Sequence, residues 1–389
     1  MIARAMAWRD NVLGQPQAIG LLRRAIESDR VAHAYLFHGP DGIGKRAAAV
    51  EMACTLLCTR QEGVACGECT GCIGTRKLQH PDVHVLVPQP SDVMPEDVGV
   101  YIQTLAKNPY ATVNFSRGGK ASGKQARYSI DRIRRDLQQV LSLRPRAGGY
   151  RVVVMIQADT MNEPAANAFL KLLEEPGDRT VLMLTTSRVD QLLPTIISRC
   201  QRVRFVPLAE EIIAEALEHR ESLKPNDARL YARMAGGSYS TALGLALNET
   251  FQQDRETART FLQLAHARNA KMQVAQIEEL ARGGREYVKG VLEHVLVWIR
   301  DLLLWHVLRN DAVITNIDQR DFIADFSHRL RYEVMGAMAD LVDEGRVRAA
   351  TEVYLKALLL TLSHALGHVM QGGRVESLYM PLTQRRQHT

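Results

Sequence analysis

The chain has 389 residues, of which 46% are hydrophobic and 24% charged, and a net charge of +6. That length exceeds one typical core and suits two or three domains, and the composition is that of an ordinary globular protein, not of a disordered or fibrous one. No apolar run reaches the roughly 18 residues of a membrane span; the best, HVLVWIRDLLLWHVL at 294–308, is cut by Arg300 and Asp301. The opening MIARAMAWRDNVLG lacks the apolar core of a signal peptide. The expected location is the cytosol, with no membrane partner. The mild positive balance permits contact with nucleic acid and does not establish it.

In chain order, AYLFH (34–38) is a short apolar strand leading into the glycine-rich loop GPDGIGK, and KRAAAVEMACTLLC continues as a helix. Gly39, Gly44 and Lys45 match the phosphate-binding pattern G-x-x-x-x-G-K-[ST], but Arg46 stands where the magnesium-ligating hydroxyl belongs. Next come Cys58, Cys66, Cys69 and Cys72, spaced C-x7-C-x2-C-x2-C. In a reducing compartment this spacing points to metal ligation before disulfides, and four thiolates fill a structural zinc shell with no open position. Cys54 and Cys200 fall outside the pattern and are expected to be small apolar residues.

Residues 88–128 are rich in Pro, Gly and Ser and suggest an inserted loop, whose basic tail includes Arg117, Lys120, Lys124 and Arg127. YRVVVMIQAD (150–159) is a buried parallel strand, NEPAANAFLKLLEE (162–175) a helix with Asn162 as N-cap, and RTVLMLTTS (179–187) another strand. This alternation predicts an α/β domain with a parallel sheet over 1–206. From Pro207 the pattern turns helical: a small domain over 207–268, broken by AGGSYS, then an all-α domain over 269–389 that includes 286–309 and 346–370.

Magnesium-assisted hydrolysis needs a loop hydroxyl and a carboxylate at the end of a neighbouring strand. Here the hydroxyl is replaced by Arg46, and the strand end that would carry the acidic pair holds Ile156 and Gln157. Hydrolysis of ATP by this chain is therefore not expected. Lys45 and the loop amides retain the means to hold a nucleotide weakly, which the sequence leaves open. Arg199 in ISRCQRVRF lies between two apolar stretches. Such an arginine can act in trans on a phosphate held by a neighbour, although surface arginines are ordinarily salt-bridged or solvated.

LGQPQAIGLL (13–22), AHAYLFHGPDGIGK (32–45), the four-cysteine spacing, HPD (80–82), AANAFLKLLEEP (165–176) and SRC (198–200) together resemble the delta-prime family of bacterial DNA polymerase III clamp-loader subunits. The resemblance covers roughly 10–210 well and the remainder only in helical character. It implies an AAA+ module carrying the zinc module, a helical lid and a C-terminal collar. It implies partners as well: gamma/tau and delta subunits in a pentameric ring, and the sliding clamp and primer-template DNA through that complex. It gives Arg199 the role of a finger on the ATP of an adjacent gamma/tau subunit, and members commonly lack working ATPase motifs. Two departures stand out: the 88–128 insertion is longer than the family suggests, and Ser240 replaces the lid arginine of active subunits. Two other readings remain: an active gamma/tau-like ATPase that tolerates Arg46, and a stand-alone zinc-dependent DNA-binding protein. The missing acidic pair weighs against the first, and the lack of a base-reading helix against the second.

Overall fold

The computed structural model describes residues 8, 11–60, 63–112, 115–117, 120–121, 126–141, 149–350, 354–375 and 377–378. Two compact units divide between Leu245 and Ala246. Among the described residues, no helix is long and apolar enough to cross a membrane.

The first unit is built on a five-stranded parallel sheet of β1 (Ala34–His38), β2 (Val83–Leu86), β5 (Arg151–Met155), β6 (Thr180–Thr186) and β7 (Gln201–Arg204), in the order β2-β5-β6-β1-β7. β5 and β6 are buried along their whole length and β1 nearly so, as apolar runs covered on both faces require. β1 lies between β6 and β7, pairing Leu36 with Leu184 and with Arg202. Its carboxyl end runs into the glycine loop, and the helix Lys45–Leu56 follows. Ala47, Ala48, Ala49 and Met52 of that helix are all buried. The helix Glu163–Glu174 begins as the sequence predicts: the Asn162 side chain accepts the Ala165 amide at 3.0 Å and proline occupies its first turn.

Residues 88–128 are not a continuous loop. Gln89 and Arg127 form an antiparallel bridge that closes the insertion at its base. Inside it lie the helix Pro95–Lys107 and a short antiparallel pair, β3 (Ser116–Arg117) and β4 (Lys120–Ala121). The helix starts with Pro95 in its first turn and the Asp97 carboxylate accepting the Met94 amide at 3.1 Å. It buries Tyr101 and Leu105, and the Tyr101 ring stacks on Phe115 at 4.7 Å. Two of the prolines that suggest a loop flank this helix: Pro95 opens it and Pro109 follows its end. Lys124 lies outside the described residues.

The helices Glu210–Glu221, Pro225–Met234 and Tyr239–Ala246 complete the first unit. In the second unit the helices Phe251–Ala267, Ala270–Arg282, Gly284–Leu308, Arg320–His328, Tyr332–Ala349 and Leu355–Met370 enclose one core. The helix Phe251–Ala267, which the sequence pattern groups with the small helical domain, contributes Phe261 and Leu262 to this core. The segment 346–370, which reads as one helix, is divided: one helix ends at Ala349 and the next starts at Leu355. Asp301, which interrupts the apolar run of 294–308, is fully buried. Its carboxylate accepts the Thr315 and Asn316 amides at 2.8 and 2.7 Å and so fixes the 310–320 connection.

Candidate functional site

The glycine loop sits at the carboxyl end of β1, where open parallel sheets hold ligands. Gly39 has φ +142, and a Cβ there would lie 2.3 Å from the Phe205 carbonyl oxygen, so only glycine fits. The Lys45 ammonium turns back onto its own loop, donating to the Gly39 carbonyl at 2.6 Å and to the Pro40 carbonyl. Asp41 lies 3.7 Å away. Burial, opposed only in part by Asp41, draws the Lys45 ammonium down to about 8.

Arg46, in the place of the magnesium-ligating hydroxyl, donates to the Ala111 carbonyl of the insertion at 2.9 Å. Ile156 and Gln157 fall just past the end of β5, and both line the same cavity of about 540 Å³ as Gly44, Lys45 and Arg46. That cavity therefore holds no strand-end carboxylate at the expected places. Asp159, the nearest acid in sequence, serves another purpose: it accepts the Thr186 hydroxyl at 2.7 Å and is paired with Arg188 at 2.8 Å.

Other residues of this site come from segments far apart in sequence. Tyr110 from the insertion is buried beside Gly44, and its hydroxyl accepts the Leu13 amide at 2.9 Å. Tyr239 meets its ring edge-on at 5.0 Å, and the Arg220 guanidinium lies 5.9 Å from both rings. Ser240 donates its hydroxyl to the Tyr110 carbonyl, and its amide bonds the Gly42 carbonyl at 3.2 Å. Gln15 ties the loop to the chain leaving β7: its amide donates to the Ile43 and Val206 carbonyls and its carbonyl accepts the Val206 amide. Gln15 lies in LGQPQAIGLL and Tyr239 and Ser240 in AGGSYS; Tyr110 and Arg220 lie in no motif, and the contacts join chain segments far apart in sequence.

The four predicted cysteines come together. The sulfurs of Cys58, Cys66, Cys69 and Cys72 all lie within 4.8 Å of one another. The Cys58–Cys69 and Cys66–Cys72 sulfur pairs are each 3.9 Å apart. A tetrahedral zinc ion with Zn–S near ~2.3 Å spaces its sulfurs by ~3.8 Å, so the donor set fits such an ion. The Cys69 and Cys72 amides point at the Cys66 and Cys69 sulfurs, each at 3.4 Å. Burial opposes ionisation of Cys69, but hydrogen bonds from Thr59 and from the Cys72 amide prevail and draw its thiol down to about 5. The close turn requires glycine at Gly71, where a Cβ would meet the Leu57 carbonyl oxygen at 2.1 Å. Cys54 and Cys200 stay outside the cluster as buried thiols, the latter pushed up to about 12 by burial.

Arg199 ends the helix Pro194–Arg199 and is not among the residues lining the loop cavity. Its guanidinium donates to the Glu174 carboxylate at 2.8 Å and to the Thr195 carbonyl at 3.1 Å. With these side chains 38% and 53% exposed, the pair is worth no more than ~1 kcal/mol.

A family model described as "DNA polymerase III, delta subunit" matches residues 14–209. DNA polymerase III subunit delta' of Bacillus subtilis is 31% identical over 264 residues, 68% of this chain and 69% of that protein. The delta' subunit of Escherichia coli is 27% identical over 362 residues, 90% of this chain and 93% of that one. DNA polymerase III subunit tau of Bacillus subtilis is 24% identical over 358 residues, 86% of this chain and 57% of that one.

Proposed function

The chain belongs to the bacterial DNA polymerase III delta-prime family, and from that premise we propose that it is a non-catalytic clamp-loader subunit. In this reading it assembles with gamma/tau and delta subunits in the cytoplasm and helps load the sliding clamp onto primed DNA. In this reading the AAA+ module is 1–206 and the lid the helices that follow it up to residue 245, and the helix Phe251–Ala267, whose Phe261 and Leu262 lie in the second unit's core, goes with the collar. The observation that carries the reading is the magnesium site: Arg46 is bonded to Ala111 where a hydroxyl would hold the ion, and Ile156 and Gln157 occupy the acid positions. Gly39, Gly44 and Lys45 then persist as a structural turn, since strand, loop and helix still have to pack.

Arg199 is the residue offered to a neighbour. Its exposed, weakly held guanidinium can leave Glu174 for the charge developing on a phosphate of an adjacent gamma/tau subunit. Cys58, Cys66, Cys69 and Cys72 hold one structural zinc ion, which keeps the module folded and takes no part in chemistry. The tau relatives favour a second reading, an active gamma/tau-like ATPase.

The test is reconstitution with gamma/tau and delta, followed by DNA-stimulated ATPase and clamp-loading assays. Arg199→Ala is expected to leave assembly intact and to lower ring ATPase by about 10³-fold at the site it serves. Unchanged ATPase in an intact ring would remove the finger role.

A further inference from the structure

A phosphate loop can lose its magnesium ligands and still hold a nucleotide, so the absence of hydrolysis does not decide whether the site is open. The structure adds a second fact: the space beside the loop contains part of the chain itself. Tyr110 is 1% exposed, and a Cβ on Gly44 would lie 2.9 Å from its hydroxyl. Its ring is lodged between that glycine, the Leu13 amide and the Tyr239 ring.

The turn is held from three sides. The Leu13 amide donates to the Tyr110 hydroxyl at 2.9 Å, the Arg46 guanidinium to the Ala111 carbonyl at 2.9 Å, and the Ser240 hydroxyl to the Tyr110 carbonyl. Two of these anchors, Arg46 and Ser240, stand where the sequence pattern of an active subunit has other residues. Read in sequence, they are separate losses; in the fold they bind the same two-residue stretch.

We propose that residues 108–112 are a resident occupant of the nucleotide site, with Tyr110 in the place of a nucleoside and Arg46 and Ser240 as its anchors. The position between Gly44, the Leu13 amide and Tyr239 is thereby closed to a nucleoside, with the insertion as the plug, while the cavity of about 540 Å³ on the Arg46 and Gln157 side of the loop stays open. A nucleoside attached to a phosphate on the loop amides needs the volume next to Gly44 that the Tyr110 ring fills. Binding then requires the turn to leave, and affinity falls by the fraction of chain in which it has left. The inference rests on the delta-prime reading only for the identity of the ligand; it concerns binding, whereas that reading concerns turnover.

The experiment is a titration of the full chain with a fluorescent N-methylanthraniloyl ATP, read by anisotropy, with and without Mg²⁺. Tyr110→Ala and the double variant Arg46→Thr/Tyr110→Ala are expected to bind at least about ten-fold more tightly than the parent. Tyr110→Phe keeps the ring and should keep the parent's weak binding, while the Leu13 amide, without its acceptor, exchanges its hydrogen faster. Parent binding as tight as that of folded Tyr110→Ala would overturn the proposal. If Tyr110→Ala does not fold, hydrogen exchange of the parent decides: millimolar ATP should leave protection at Leu13, Gly44 and Tyr110 unchanged. New protection there would overturn the proposal as well.

Discussion

Lys45 shows how a binding-type residue becomes a structural one. An ammonium aimed at a phosphate would reach away from its loop, but here it donates to the Gly39 and Pro40 carbonyls and is 6% exposed. Its ordinary value is 10.5 and burial lowers it to about 8 in the fold. Between those values the unfolded chain binds the additional proton, so the contribution of Lys45 to stability should rise with pH from about 8 to about 10, while the Cys200 thiol, raised by burial, contributes with the opposite sign above about 9. Denaturant unfolding across that range should show the stability of the parent gaining on that of Lys45→Met as pH rises. Asp301 is the counterpart in the second unit. Its buried carboxylate accepts two backbone amides and the Asn316 side chain at 2.7 Å, so Asp301→Ala strands three donors. A loss of about 3 kcal/mol in urea unfolding is expected, against about 0.5 kcal/mol for substitution of an exposed acid such as Asp321.

At the scale of elements, the parts legible in the sequence are those whose cause is local. β1, the glycine loop and the following helix appear as a run, a pattern and a periodicity within 34–56. The cysteine module is legible for the same reason, since two C-x2-C turns and Cys58 bring four sulfurs together over a short span. Zinc content of the purified chain should be one equivalent, and Cys66→Ser/Cys69→Ser should lose it. Chelation should likewise lower the melting temperature of the parent by several degrees and leave that of the double variant unchanged. The insertion was not legible, because Pro95 opens a helix while the same residue type elsewhere ends one, and only burial of Tyr101 and Leu105 distinguishes the cases. Tyr110 was less legible still. Its hydroxyl is bonded 97 residues away and its carbonyl 130 residues away, which no local pattern encodes.

On the scale of the whole molecule, the chain combines a sheet-based unit that keeps the geometry of a nucleotide site with a helical unit that has its own core. In the proposed assembly the first lends Arg199 and the second joins the collar, and neither contribution needs an intact magnesium centre in this chain. That account depends on one property above all, the absence of turnover by the chain itself. The direct test is Mg²⁺-dependent ATP hydrolysis by the purified chain, with Lys45→Ala measured alongside. The account predicts that the two are indistinguishable from buffer; robust hydrolysis by the parent that Lys45→Ala abolishes would contradict it.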